Sequence, residues 1–111
     1  MGYLALSSNT TGDYNTASGY YALVINATGQ YNTSTGYNAL ATNTTGDYNT
    51  AIGSSADVVS ENLTNATAIG NGARVNASDK IRLGNTSVTV IEGQVAFSNA
   101  SDRRLKKDIT N

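Results

Sequence analysis

The sequence predicts an all-β fold, a parallel β-roll or β-solenoid with turns of 17 residues. Five glycines recur at this step, and Thr, Ala and Tyr columns keep the same step. So short a fixed period indicates stacked turns, each covering its neighbour's face. Apolar residues show no helical 3.6-residue periodicity through residues 1–100. The columns are Gly2, Gly19, Gly36, Gly53, Gly70; Thr16, Thr33, Thr50, Thr67; Ala5, Ala22, Ala39, Ala56, Ala73; and Tyr14, Tyr31, Tyr48.

Each turn is predicted to hold two short extended segments joined by turn residues. The first is the Thr-Ala-Ile type that precedes each glycine, because β-branched residues favour extended structure. The second is the Ala-Leu type that follows it. Asn-Thr-Thr-Gly and Asn-Ala-Thr-Gly motifs predict the turns, since Asn and Gly tolerate positive φ. The expected inward residues are Ala17, Ala22, Leu23, Ala39, Leu40, Ile52 and Ile69.

The repeat pattern divides the chain into three parts. Residues 1–84 form the β-roll, whose fifth turn is three residues shorter and ends at Gly84. Residues 85–100 read as a β-stranded neck with strands at 86–91 and 94–98. Residues 101–111 are polar and basic and open a new element. Met1 occupies a column inside a repeat, so we expect an excerpt of a longer protein.

The amino-acid composition excludes several kinds of functional site. The chain has no Cys and no His, which excludes disulfides and thiolate metal sites and removes the commonest metal ligand and general base. We therefore predict no cofactor and no metal. No segment approaches the roughly 20 apolar residues of a membrane span, so no membrane insertion is expected. Residues 1–73 contain neither Lys nor Arg, so they offer nothing to neutralise phosphates, and no nucleic-acid partner is expected.

Two motifs carry a family resemblance: NTAIG at 49–53 and ATAIGNGARV at 66–75, with weaker copies at 15–19 and 32–36. They resemble the head repeats of trimeric adhesins of the YadA-like class. The resemblance covers about residues 1–84. It implies a left-handed parallel β-roll in which three chains lie side by side around a threefold axis. The family's repeats are commonly shorter than 17 residues and nearer the copy at 70–83.

The tail carries a second resemblance. The string ASDKIRLGNTSVTVIEGQVAFSNASDRRLKKDI looks like the junction before an endosialidase-type intramolecular chaperone. That resemblance implies a self-cleavage dyad of Ser101 and Lys106 acting on the Ala100–Ser101 bond, with a deprotonated Lys as the base. Only eleven residues follow Ala100. We therefore expect no chaperone body and no self-cleavage in this chain.

The tyrosine columns are candidate ligand-binding residues. Tyr14, Tyr31 and Tyr48 form one column, and a second runs through Tyr3, Tyr20 and Tyr37. Amphipathic aromatic rows beside Asn and Thr suit sugar faces. The simpler interpretation, which we favour, is that the rings stack to stabilise the turns.

The Asn-x-Ser/Thr sequons are candidate glycosylation sites, foremost Asn9, Asn26 and Asn43. Composition alone explains them, because Asn-Thr-rich turns produce sequons. The Thr column is also a candidate ice-binding face. Asp13 and Asp47, which share a column, are candidate ligands of a calcium ion. We favour neither, since bulky columns border the Thr ladder and Gln30 interrupts the acidic one. All nine sequons begin at Asn9, Asn26, Asn32, Asn43, Asn62, Asn65, Asn76, Asn85 and Asn99.

Together these features predict a non-enzymatic structural segment of a trimeric surface fibre, either a viral or phage tail fibre or a bacterial adhesin. The stack serves as head or spacer in an extracellular location, on a virion or a cell surface. Its expected partners are two further copies of itself and a cell-surface receptor or glycan. The alternatives are a carbohydrate-binding module that uses the Tyr columns and an inactive remnant of a self-cleaving junction.

Overall fold

A computed structural model describes residues 2–100, and the part that ends with the strand Ile81–Leu83 forms a parallel β-solenoid of about four turns. The predicted all-β class and the predicted 17-residue spacing are confirmed. All described strands are short, because each spans only one side of a turn. They are β1 (Thr16–Ser18), β2 (Thr33–Thr35), β3 (Thr50–Ile52), β4 (Asp57–Val58), β5 (Thr67–Ile69), β6 (Arg74–Val75) and β7 (Ile81–Leu83).

Two parallel sheets run along the stack. The larger one, sheet A, has the strand order β1-β2-β3-β5-β7, and the smaller one, sheet B, pairs β4 with β6. Thr16 lies opposite Thr33, Thr33 opposite Thr50, and Thr50 opposite Thr67, so pairing keeps the 17-residue step. The last step is shorter, since Thr67 lies opposite Ile81. The predicted shortening of the fifth turn is confirmed.

The shortened turn loses residues at one corner and keeps both sheets. Val58 still pairs with Val75 at the 17-residue step, whereas Asn65 contacts Asp79 fourteen residues on. The deletion therefore lies between β6 and Asp79, where the first three turns carry the Asn-Thr-Thr-Gly type of corner.

In β1, β2, β3 and β5 only the middle residue of the strand is buried. In the burial pattern of β3, Ala51 is buried and Ile52 is exposed, and Ile69 is exposed in β5 as well. The prediction that Ile52 and Ile69 lie inside was wrong. Side chains alternate along a strand, and the narrow interior admits the small residue of Thr-Ala-Ile rather than the large one. The true inward column is Ala17, Ser34, Ala51 and Ala68.

The Ala-Leu segment is a strand in the later turns alone. Its predicted extended form is confirmed at β4 and β6, and it is wrong for the first three turns. There the backbone alternates through left-handed positions such as Tyr21 (φ 63°) and Leu23 (φ 50°). The N–H groups of Tyr21 and Leu23 point to opposite neighbouring turns, since Tyr21 donates to the carbonyl of Tyr3 and Leu23 donates to the carbonyl of Ala39. The turns are thus joined by hydrogen bonds without a regular strand.

The apolar core is a thin column between the sides of the solenoid. Leu23, Leu40, Val58 and Val75 are its largest apolar members, and each is at most 1% exposed. Alanine supplies most of the remainder, which lets opposite walls approach closely. The core alanines are Ala17, Ala22, Ala39, Ala51, Ala56, Ala66, Ala68 and Ala73.

The repeating glycine marks a corner at which successive turns touch through their backbones. Gly36 has φ of +125°, and a Cβ placed on it would lie 2.6 Å from the carbonyl oxygen of Gly53. Both the left-handed backbone and the close approach exclude a side chain. The 17-residue glycine period is therefore a steric requirement of the stack.

Residues 85–100 form no strand in the described structure, so the predicted neck strands at 86–91 and 94–98 were wrong. These stretches have the composition of strands, yet no other strand among residues 2–100 pairs with them, and an unpaired strand is not stable in water. Their large apolar side chains are exposed: Val88, Val90, Ile91, Val95 and Phe97.

The described residues measure 58 × 28 × 21 Å along their principal axes.

Candidate functional site

Tyr14, Tyr31 and Tyr48 form a continuous ladder of stacked rings. The ring centroids of Tyr14 and Tyr31 lie 4.9 Å apart with planes 11° from parallel, and those of Tyr31 and Tyr48 lie 4.9 Å apart at 2°. All three side chains are exposed. Each residue has φ near 60°, which is rare for a bulky residue. The sequence-predicted column is thus a physical ladder at one corner of the solenoid.

A second ladder forms at the next corner. Tyr3 and Tyr20 stack at 5.2 Å, and Tyr20 and Tyr37 stack at 5.6 Å, with planes within 27° of parallel. Tyr21 joins the group, since its ring centroid lies 4.2 Å from that of Tyr20. A hydrogen bond and electrostatic repulsion from Tyr20 raise the pKa of the Tyr21 hydroxyl.

Both ladders border the outer side of sheet A at β1 and β2, whereas β3 is bordered by Tyr48 alone, because Ser54 stands where Tyr20 and Tyr37 follow the earlier strands. The chain passes from the Tyr14 corner through strand β1 to the Tyr20 corner, and the next turn repeats this path in register. Between the ladders, the outward positions carry hydroxyl side chains. We call this surface the Tyr-flanked face, made of both ladders together with Thr16, Ser18, Thr33, Thr35 and Thr50.

The stacking limits how the tyrosines meet a ligand. Both ring faces of Tyr31 are covered by neighbours, and Tyr14 and Tyr48 are each covered on one side. The ring edges and hydroxyl groups remain accessible, because the three side chains are 45–74% exposed. The face therefore presents rows of hydroxyls with apolar ring edges, rather than open aromatic platforms.

Two of the three leading glycosylation candidates lie inside the solenoid. Asn26 and Asn43 are fully buried, and the side-chain amide of Asn43 donates to Oδ1 of Asn26 at 2.9 Å and to the carbonyl of Gly46 at 3.1 Å. A glycan attaches at that amide nitrogen, so the folded stack excludes glycans at both positions. Asn9 is exposed and accepts a hydrogen bond from Asn26.

A second buried asparagine column binds backbone groups of adjacent turns. Oδ1 of Asn32 accepts the backbone N–H of Asn49, and its amide donates to the carbonyl of Gly46, both at 2.9 Å. Asn49 repeats the pattern with Ala66 and Leu63. Within residues 2–100, no buried side-chain nitrogen or oxygen is left without a partner.

The burial of these asparagines was not predicted: Asn26, Asn32 and Asn43 were interpreted as sequons, and Asn49 as part of the NTAIG motif. The available signal was their strict recurrence at the 17-residue step, as for Asn15, Asn32 and Asn49. An exposed turn residue that contacts no neighbouring turn has no reason to keep that step, whereas an inward amide that bridges turns must keep it.

Asp57 is the one carboxylate among the buried polar residues of the described part, and it replaces leucine in the column of Leu23 and Leu40. Its oxygens accept the Thr42 hydroxyl at 2.6 Å and the Val58 N–H at 2.8 Å, and Arg74 lies 3.7 Å away. Burial raises the pKa of Asp57, and these hydrogen bonds and the Arg74 charge oppose that rise. Asp57 stands where sheet B begins.

The remaining predicted sites are distributed differently. Ser101 and Lys106 lie outside the described residues. Asp47 accepts the backbone N–H of Gln30 at 2.8 Å, so the interrupted acidic column serves a backbone contact. Residues 2–100 contain no group of three or more acidic, His or Cys side chains placed to hold a metal ion. The same described part has no helix long and apolar enough to cross a membrane.

Comparison with known proteins gives no match, whether to family models, to curated proteins or to solved structures.

Proposed function

We propose that this chain is a structural segment of a trimeric surface fibre, in which the solenoid is a head or spacer for attachment to a host or surface. The observation that carries the proposal is the unbroken in-register stack. Backbone pairing, two asparagine columns and two tyrosine ladders all run along one axis. Contacts that repeat along one axis favour a stiff rod, which suits a head or spacer.

The outer surface of sheet A supports self-association. Its outward column is polar in the first turns, at Ser18 and Thr35, and becomes apolar at Ile52, Ile69 and Leu83. Exposed contiguous apolar surface on a small protein marks an interaction site. We assign this C-terminal part of the face, with the apolar residues of 88–97, to contact between three copies.

The resemblances of the repeats and of the tail agree with this assignment. Adhesin-like head repeats favour a side-by-side trimer on a cell surface, and the chaperone-like junction favours a viral or phage fibre. Both place the protein outside the cell, with other copies and a surface receptor or glycan as partners. The proposal requires no catalysis by this chain.

The test is the mass of the protein in solution, measured by light scattering. The expected result is three times the chain mass, and a stable monomer at micromolar concentration would contradict the proposal. Ile69→Arg should dissociate the trimer, because it places a charge in the apolar part of the face. Val59→Arg is the matched control, since Val59 is similarly exposed but lies on the side of sheet B.

The self-processing alternative rests on Ser101 and Lys106. A chain extended beyond Asn111 that releases a product starting at Ser101 would support it. An extended chain that remains intact would count against it.

A further inference from the structure

We propose that the Tyr-flanked face, centred on β1 and β2, binds a linear, neutral polysaccharide chain lying parallel to the solenoid axis. The proposal deepens the head function above and names its ligand class. It concerns the polar end of sheet A, whereas the contact between copies was assigned to the apolar end.

The chemistry of the face suits sugar hydroxyls and C–H groups. The face presents the hydroxyl groups of Thr16, Thr33 and Thr35. Each can accept a hydrogen bond from a sugar hydroxyl or donate one to it. The tyrosine hydroxyls flank them in two rows, and the ring edges supply apolar contact. Antibody binding loops are rich in tyrosine and serine for the same reason, because tyrosine supplies rigid contact area and serine supplies adaptable hydrogen bonds.

The charged residues near the Tyr-flanked face favour a neutral ligand over an anionic one. Residues 1–73 contain no Lys or Arg, so nothing on this face neutralises a sulfated or phosphorylated polymer. The charged residues closest in sequence to the first ladder are acidic, Asp13 and Asp47, each directly preceding a ladder tyrosine. A polyanion would be repelled, and a neutral chain would not.

The regular spacing of equivalent side chains along the Tyr-flanked face favours a linear polymer as the ligand. Identical groups recur along the axis at the ring spacing of 4.9 Å. Across the axis at β1 and β2 the columns differ in kind, from tyrosine to threonine to serine or threonine and back to tyrosine. The periodicity is thus one-dimensional. A polymer of similar sugar units matches this pattern when it lies along the stack.

The face is ordered before any ligand arrives. Tyr31 is held between two rings, and the strands beneath it are fixed by parallel pairing to both neighbouring turns. A preorganised surface loses little side-chain entropy on binding, which favours affinity.

The experiment measures binding of the full chain to soluble oligosaccharides of cellulose, chitin, mannan and curdlan, with a heparin oligosaccharide as the polyanionic comparison. We expect at least one neutral series to bind. Its affinity should rise with chain length until the sugar spans the ladder and then level off. Binding to no neutral series, or preferential binding to heparin, would overturn the proposal.

Matched variants locate the site. Tyr31→Phe keeps the stacked ring and removes its hydroxyl. Thr33→Val keeps a branched side chain in β2 and likewise removes the hydroxyl. Each should weaken binding about fivefold, the loss expected from one net hydrogen bond. Thr45→Val removes an exposed hydroxyl at a corner away from the face and should change nothing. An equal loss in Thr45→Val would place binding elsewhere and overturn the assignment.

Mass measurement of the same variants separates the two proposals. A Tyr31→Ala variant that loses sugar binding but keeps the mass of the parent supports the site. Dissociation of Tyr31→Ala into monomers would show that the face contacts another copy, and the polysaccharide assignment would fall. A monomeric parent that still binds sugar through Tyr31 would support this inference while contradicting the trimer.

Discussion

The side-chain amide of Asn43 donates to Oδ1 of Asn26 at 2.9 Å across one full turn of the solenoid. Both side chains are fully buried. The contact shows that the interior of the stack is held by an amide ladder as well as by apolar packing. Because an unpaired buried amide is costly, this ladder fixes the register of neighbouring turns.

Asn43→Ala should destabilise the fold by at least about 2 kcal/mol, because partners on Asn26, Gly46 and Asn49 lose their hydrogen bonds together. Denaturant unfolding measures the change. The matched control is Asn62→Ala at an exposed position, where the expected change is within about 0.5 kcal/mol. Equal losses in the two variants would show that the ladder contributes little.

Gly36→Ala should cost about 3 kcal/mol or more, since it combines a left-handed backbone with a Cβ only 2.6 Å from Gly53. The thermal midpoint reports the loss. Gly93→Ala serves as comparison, because Gly93 lies in the exposed segment outside the stack and has no left-handed φ. A midpoint unchanged by Gly36→Ala would refute the steric explanation of the glycine period.

Tyr31→Ala should destabilise the stack more than Tyr14→Ala. Tyr31 stacks on two rings and Tyr14 on one, and each aromatic pair contributes about 0.5–1.5 kcal/mol beyond buried area. The difference between the two variants in unfolding free energy therefore measures one ring pair. If Tyr14→Ala proved the more damaging, the ladder would not be the source of the stabilisation.

Asp57 should make the stack relatively more stable in acid. Its folded-state pKa is raised above the ordinary value of 3.8, so its contribution is full below that value and is lost as pH rises through the folded pKa. Unfolding free energies of wild type and Asp57→Asn, compared from about pH 3 to pH 7, test this. The advantage of wild type over the variant should shrink with rising pH, and the opposite trend would contradict the assignment.

Expression in a secretory, glycosylating host should give folded protein without glycans at Asn26, Asn32 or Asn43, which are fully buried. Glycopeptide mapping of the folded fraction checks this. Exposed sequons such as Asn62 and Asn76 are the internal comparison, because their side chains are accessible. A glycan on Asn43 in folded protein would show that the corner opens.

The period of the sequence was enough to predict the solenoid, its strand register and the tyrosine columns. The direction of individual side chains was harder to predict. Ile52 was placed inside because it is apolar, yet the narrow interior takes Ala51 and leaves the isoleucine on the surface. Hydrophobicity ranks residues, whereas the space between the walls decides which of two neighbours fits.

The arrangement of side chains in the candidate site was also only partly predictable from the sequence. Tyr31 and Tyr48 were predicted to share a column, but the covering of their ring faces follows only from the nearly parallel stacking. The neck strands failed for a different reason. Strand composition at residues 86–91 does not produce a strand unless another strand lies beside it, and this chain provides none in the described part.

The hydrogen bonds between successive turns have a mechanical consequence. A pull along the axis loads the interfaces between turns in series, as in the links of a chain. Each link consists of the same kinds of contact, such as the pairings of Thr33 with Thr16 and with Thr50. Added turns would lengthen the rod while leaving its breaking force set by the weakest single interface, so reach and tensile strength are decoupled.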